Sequence, residues 1–407
     1  MHFPARSERL LVLVIGAVQF INVLDFVMVI PLAPDFTRNL GIASSSVPLV
    51  ASAYTLAAAF SGLAGSVFLD RFDRRSALGI AMAGLSLGTI SAAFAENFPT
   101  LLAARFIAGA FGGPATSLSY SIIADLVPDE RRGKAMGAVM GAFSAATVFG
   151  VPIGLELAVR GGWRTPFICV GTLGLLVTAA ALTLLPSVRA HLSGRTEGPK
   201  QPSYRDLLTR PVVLLSYTMT AVMMVGGFIV LPSVPAYVLD TLHFPRENLW
   251  ELYAIGGIIS FVTMRYVGKI VDRYGSFGSG AIGCALLVIV LYFGFYDHPA
   301  WFGAPEIYGA LMFAMAFRNV AINTLTSKVP AMTERVRFMS LQSCVQHLAS
   351  ALGATLSSRF LIGARGESRI AAVAIALTVL LPLLMHGVER RVRRPLVART
   401  VTRSNPR

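Results

Sequence analysis

Charge is what this chain has least of. Only 14% of its 407 residues are Asp, Glu, Lys or Arg, against about a quarter in an ordinary soluble domain. A chain of this length can bury a large core, but so few charges cannot cover that core with a water-facing surface. Cysteine is scarcer still. Cys169, Cys284 and Cys344 stand far apart in apolar stretches, which excludes a disulfide framework and a thiolate metal cluster. The six histidines form no HExxH or comparable pair, so no metal site is expected. The glycines at 275–280 do not follow a strand, which excludes a phosphate-cradling loop. No ATPase signature occurs elsewhere, so no cofactor is expected and any uphill work must draw on an ion gradient.

What the chain has in plenty is apolar length. Hydrophobic residues make up 55% of it, and runs near or above the roughly 20 residues that span a bilayer recur throughout. Arg-rich or Pro/Gly-rich breaks separate them. The fold class expected is an all-α polytopic membrane protein. Spans are expected near 10–36, 47–69, 76–95, 99–124, 133–158 and 163–186, then near 211–240, 247–270, 278–297, 305–328, 336–362 and 368–387. That is six on each side of one long polar segment, "SVRAHLSGRTEGPKQPSYRDLLTR". The expected organisation is an N-terminal bundle 1–186, a cytoplasmic linker 187–210, a C-terminal bundle 211–388 and a basic cytoplasmic tail 389–407. The first apolar run continues past residue 30 with no small-residue cleavage site, so it reads as a retained helix and not a signal peptide.

Orientation follows from the basic residues. With both termini cytoplasmic, the cytoplasmic segments carry 25 of the 35 Lys and Arg, the outer segments carry 7, and Arg105, Arg265 and Arg318 fall inside spans. The net charge of +14 therefore reflects topology together with the tail "ERRVRRPLVARTVTRSNPR", which can lie against anionic membrane lipids. That tail has no aromatic interleaving for base stacking, so no nucleic-acid partner is expected.

The halves repeat. "SVFLDRFDRR" follows the second span and "GKIVDRYGSF" follows the eighth, with Asp70 and Asp272 offset by 202 residues. Pro128 of "VPDERRGKAMG" and Pro330 of "VPAMTERVRFMS" share the offset of 202. Two marks at one offset indicate an internal duplication of a six-helix unit, an architecture associated with transport at the interface of the repeats.

These loops resemble the two copies of the signature Gly-x-x-x-Asp-Arg-x-Gly-Arg-Arg/Lys of the major facilitator superfamily. The first copy matches at Asp70, Arg71, Arg74 and Arg75, with Ser66 and Asp73 in place of glycines; the second keeps Gly268, Asp272, Arg273 and Gly275 and lacks the closing basic pair. "RFIAGAFGG" is similar to the Arg-x-x-Gln-Gly element at Arg105 and Gly109, with Ala108 for Gln. "FGVPIGLELAVRGGWRTPF", with Gly150, Pro152 and Gly154, resembles the antiporter element of arabinose-efflux-like permeases, and "NVLDFVMVIPLAPDF" resembles the first helix of drug:proton antiporters. The resemblance implies two pseudo-symmetric six-helix bundles and alternating access. It also implies proton-coupled efflux of a small molecule (a drug, sugar or metabolite) by a monomer in a bacterial inner membrane. An uncoupled or importing permease is the alternative within the same fold. A polytopic membrane enzyme is the alternative from another class; it needs a His/Asp/Glu or nucleophile cluster at a membrane face, and the sequence offers none.

Candidate residues follow from cost. Asp25, about fifteen residues into the first span, is expensive there unless it faces water, a partner or a proton. It is read as a coupling or substrate carboxylate, with Arg105 of the fourth span a candidate beside it; the alternative is a static ion pair of the two, or Arg105 bonded to backbone carbonyls of the first helix. Arg318 in the tenth span is placed facing the central cavity by the resemblance. It is read as a substrate contact or as a guanidinium bonded to neighbouring carbonyls. His347, flanked by Gln342 and Gln346, is read as packing or as a proton or substrate group. Gly150, Pro152 and Gly154 are expected to bend the fifth helix. Asp70 is expected to cap the third helix or pair with basic groups, and Arg71, Arg74 and Arg75 to bridge to acids, with Asp125, Asp129 and Glu130 nearest.

Overall fold

The computed structural model describes residues 5–188, 204–299, 301–330, 334–362 and 366–403. Among these residues no strand occurs, and twelve long helical passes succeed one another. The first half consists of α1 (Ala5–Val27), α2 (Pro48–Phe68), α3 (Arg74–Ala93), α4 (Phe98–Leu126), α5 (Asp129–Ala145, resumed as Val151–Gly161) and α6 (Arg164–Leu184). The second consists of α7 (Pro211–Phe228), α8 (Leu249–Tyr274), α9 (Ser276–Leu291), α10 (Ala304–Ser327), α11 (Arg335–Phe360) and α12 (Gly366–Arg403). Ten passes are long and apolar enough to cross a membrane. The two others, α10 and α11, have the length but carry Arg318, Asn319 and Asn323, and Gln342, Gln346 and His347, respectively. The expected linker lies mostly outside the described residues.

Within the first half α4 packs on α2 and α3, and α3 on α6; within the second α10 packs on α8 and α9, and α7 on α11 and α12. Small residues permit this closeness. A methyl group on Gly109 of α4 would sit 2.2 Å from the Tyr54 carbonyl oxygen of α2. Across the halves, α2 packs on α11 and α5 on α8.

Two boundaries differ from expectation. The first span is one helix to Val27, a turn over 28–32 and a separate helix Ala33–Leu40. Pro31 has no N–H to give and its ring crowds the carbonyl four residues back, so the helix stops there; Pro34 then suits the first turn of the next. In the second half Pro232 and Pro235 have the same effect, and α7 passes into short 3₁₀, α and π turns from Leu231 to Thr241. The other difference is α12, which continues to Arg403: arginine is a good helix former and needs no bilayer.

The cap of α3 is Asp73, not Asp70. Its Oδ1 accepts from the Arg75 N–H at 3.2 Å and the Val188 N–H at 2.9 Å, and Oδ2 accepts from the Ser187 hydroxyl at 2.8 Å. The side chain of Asp70 lies outside the described residues. Asp73 thus ties the start of α3 to the chain leaving α6, which a glycine could not do. Asp73→Ala is expected to cost about 1–2 kcal/mol, read as earlier thermal unfolding in detergent, with Asp73→Asn recovering most of it.

Candidate functional site

Asp25 sits in the last turn of α1, where the proline break begins. It and Arg105 of α4 are both 0% exposed. Arg105 donates from Nη1 to Asp25 Oδ1 at 2.7 Å and from Nη2 to Oδ2 at 2.9 Å. Nη2 also reaches the Asp25 main-chain carbonyl at 3.1 Å. The Thr89 hydroxyl of α3 gives Oδ1 a further bond at 2.7 Å. A bidentate guanidinium–carboxylate pair is the strong form of ion pairing, and its loss would strand a charge in a medium that cannot solvate it.

Around the pair the polar groups are ordered by the 3.6-residue repeat of α1. Gln19, Asn22 and Asp25 recur every third residue, on one face. Asn22 donates to the Gly112 carbonyl and to Thr116 of α4, both at 2.8 Å, and accepts from the Tyr54 hydroxyl at 2.7 Å. The Tyr54 ring in turn lies 4.8 Å from the Arg105 guanidinium carbon, a cation–π contact. Its stack continues through Phe26 at 5.4 Å to Phe228 of α7 at 5.8 Å. Phe26 and Phe228 are themselves 202 residues apart (228 minus 26), the offset of the duplicated loops. The same position in the two repeats therefore meets itself where α1 crosses α7.

Other contacts between the halves sit at this end of the bundle, opposite the termini. Asp35, just after α1, pairs with Arg246, just before α8. Ser52 bonds the Ala351 carbonyl and Thr355 of α11, at 3.1 and 3.0 Å. At the termini end three ion pairs join groups within one half. Arg74 meets Asp125 at 3.0 Å, Arg131 meets Glu8 at 3.1 Å, and Arg210 meets Glu334 at 2.8 Å. So Arg74 meets Asp125, one of the first-half acids named for it. Arg75 reaches the Leu185 carbonyl at 3.4 Å. Arg71 is exposed, and the side chains of Asp129 and Glu130 lie outside the described residues. Between α1 and α5 a groove of about 400 Å³ opens, lined by Gly16, Ala17, Phe20, Gly141 and Ala142.

The two segments of α5 are joined by a π turn, Ala146–Gly150. Pro152 withholds the N–H that the Val148 carbonyl would need, and the helix re-registers with the Val151 N–H on the Ala146 carbonyl. Such turns widen a helix by one residue. The widened backbone seats on Gly257 of α8, where a methyl group would sit 2.9 Å from both the Thr147 oxygen and Val148 Cα. Gly150 backs onto Leu24, one residue from Asp25, while Gly154 has open space around it.

The remaining candidates stand apart from the Asp25 pair. Arg318 is buried in α10, with Nε and Nη2 sharing Asn319 Oδ1 at 3.3 and 3.1 Å. His347 is half-buried. Gly268 has space around it, Asp272 is exposed, Arg273 covers the Tyr274 ring at 5.4 Å, and Gly275 ends α8 at φ 86°. Thr89, Tyr54, Asn22, Asp35, Arg246 and Gly257 are additions from the structure. Only the stripe of Gln19, Asn22 and Asp25 carried a signal in the sequence.

Comparison with known proteins converges on one family. A family model of the Major Facilitator Superfamily matches residues 15–354. An MFS-type transporter of Bacillus subtilis, YwfA, is 26% identical over 93% of this chain and 91% of its own length. The purine ribonucleoside efflux pump NepI of Escherichia coli K12 is 26% identical over 86% of each chain. A chloramphenicol efflux pump of Mycobacterium tuberculosis is 27% identical over 67% of this chain and 64% of its own. Among solved structures, a D-xylose-proton symporter superposes with a TM-score of 0.75 at 18% identity, covering 92% of this chain and 96% of that one. A bacterial homologue of the lysosomal transporter Spinster, inward-facing and unoccupied, gives 0.73 at 15%, covering 96% and 98%.

Proposed function

Because the chain belongs to the major facilitator superfamily, we propose that this transporter exports a small molecule in exchange for protons by alternating access. It works in a bacterial inner membrane as a monomer, with both termini in the cytoplasm. Export is favoured by the efflux-pump relatives, for purine ribonucleosides and for chloramphenicol. The orientation is favoured by the excess of Lys and Arg on the termini side. With the termini inside, the contacts at the opposite end hold the two halves together on the outer side.

The observation that carries proton coupling is the Asp25–Arg105 pair at the end of α1. A proton arriving on Asp25 removes the charge that the guanidinium holds. It thereby loosens α1 from α4 where the helix is already broken and where Phe26 stacks on Phe228. A local change of charge is thus applied to the crossing about which the halves move, which couples binding to a global transition. Tyr54 and Asn22 keep the guanidinium aimed.

The test uses purified protein in liposomes with an internal pH dye, offered a metabolite extract of the host cell. The wild type is expected to move protons only when extract is present and to accumulate specific compounds. Asp25→Asn is expected to reduce proton movement at least tenfold. Compounds that move without protons, together with an Asp25→Asn variant that still transports, would sink the exchange reading.

A further inference from the structure

Arg318 carries a charge that none of the described residues balances. It is 1% exposed and sits near the middle of α10. Of its five N–H donors, two share the single Asn319 oxygen, and Nη1 is buried with no partner. Among the described residues no carboxylate pairs with it. By sequence, every Asp and Glu of the second half falls in a connection or within about a turn of the end of its span. Arg105 is the contrast: both oxygens of Asp25, a main-chain carbonyl and an aromatic face are all given to it.

The first helices of the two halves show where the difference lies. Asp25 of α1 corresponds, at the offset of 202, to Gly227 of α7 (25 plus 202). A methyl group on Gly227 would lie 3.8 Å from Arg318 Nη2. The two arginines are not equivalent at that offset, since 105 plus 202 is Ile307, yet each approaches the same position of its own half's first helix. The first half places a carboxylate there; the second has no side chain of its own at that position, and the flexible end of Met315 lies 3.2 Å from where its first carbon would be. A guanidinium buried without a counter-charge is expensive. Its planar fork of donors matches carboxylate and phosphate oxygens.

We propose that Arg318 receives the anionic group of the transported molecule, a carboxylate or phosphate whose oxygens take the place at Gly227 that Asp25 fills in the first half. The assignment rests on the export reading above and adds the substrate class to it. Access is built in. Gly227 adjoins Phe228, whose ring stacks on Phe26 at the crossing of the halves, so movement there uncovers the guanidinium.

The first test needs no substrate. Gly227→Asp supplies the missing carboxylate internally, so in detergent it is expected to unfold several degrees above Gly227→Asn. That gain is expected to vanish in an Arg318→Gln background. Equal stability of the Asp and Asn variants overturns the anion site itself. The second test uses inverted membrane vesicles offered the host metabolite extract. Compounds accumulated by the wild type, and at least tenfold less by Arg318→Gln and Gly227→Asp, are expected to be acids at neutral pH. Neutral or cationic compounds overturn the substrate class while leaving export standing. Accumulation that requires chloride and fails in gluconate assigns the site to an inorganic anion and overturns the proposal. Vesicles that accumulate nothing overturn export, and the stability comparison still decides the site.

Discussion

Arg105→Gln is expected to destabilise the protein by about 3–5 kcal/mol and to abolish transport. The magnitude is that of breaking a buried ion pair by removing one partner, which leaves the other charge uncompensated. Here the stranded group is Asp25, 0% exposed, with only the Thr89 hydroxyl left to it. Thermal unfolding of the purified protein in detergent reads the loss. The double variant Asp25→Asn/Arg105→Gln is expected to recover most of the stability, since two neutral amides replace two charges of opposite sign, and to recover no transport. A static strut would behave differently, regaining activity together with stability. Arg105→Lys separates charge from shape: an ammonium keeps the charge but loses the paired bonds and the contact with the Tyr54 face, so it is expected to fall between the wild type and glutamine in stability. An Arg105→Gln variant as stable as the wild type would show that the pair contributes nothing net.

How much of this could be read from the sequence depends on whether the signal was local. Spans, duplication and signature loops are local, and the helices fall within a few residues of expectation except where Pro31 breaks the first and Arg-rich sequence prolongs the last. Asp25 and Arg105 stand out because charge in an apolar run is expensive anywhere. The sequence leaves their pairing open, since it depends on how far α1 and α4 lie apart, and that is set by Gly88 and Gly109, which let α4 approach α3 and α2. The cap of α3 is harder to place: Asp70, which could cap the helix or pair with basic groups, and Asp73 both precede it, and the choice of Asp73 depends on Ser187 and Val188, more than a hundred residues on. Gly257 was silent. One glycine among 37 has no signature until the backbone opposite it is known.

That glycine carries the other large expected effect. Gly257→Leu is expected to shift the resting protein toward the state open at the end opposite the termini, and to abolish turnover. A side chain there meets the Thr147 oxygen and Val148 Cα at 2.9 Å from its first carbon. These are backbone atoms of the π turn and cannot rotate away as a side-chain end would. Overpacking of this kind costs about 1–3 kcal/mol. Spent against only one of two conformations, it shifts their ratio about 5- to 150-fold. Separation of α5 from α8 strains the other contacts at that end as well, including Asp35 with Arg246 and Ser52 with α11. Arg38 and Asp240, on opposite halves, line one small pocket there, so spin labels at those two positions report the gap directly. The wild type is expected to give a short distance and Gly257→Leu a longer one. Gly154→Ala, with nothing within 4 Å of the added carbon, is expected to change neither distance nor transport. Should Gly257→Leu keep the short distance and still transport, the seat of the π turn on α8 is not what closes that end, and the seal rests on Asp35–Arg246, the Ser52 bonds to α11 and the Phe26–Phe228 stack.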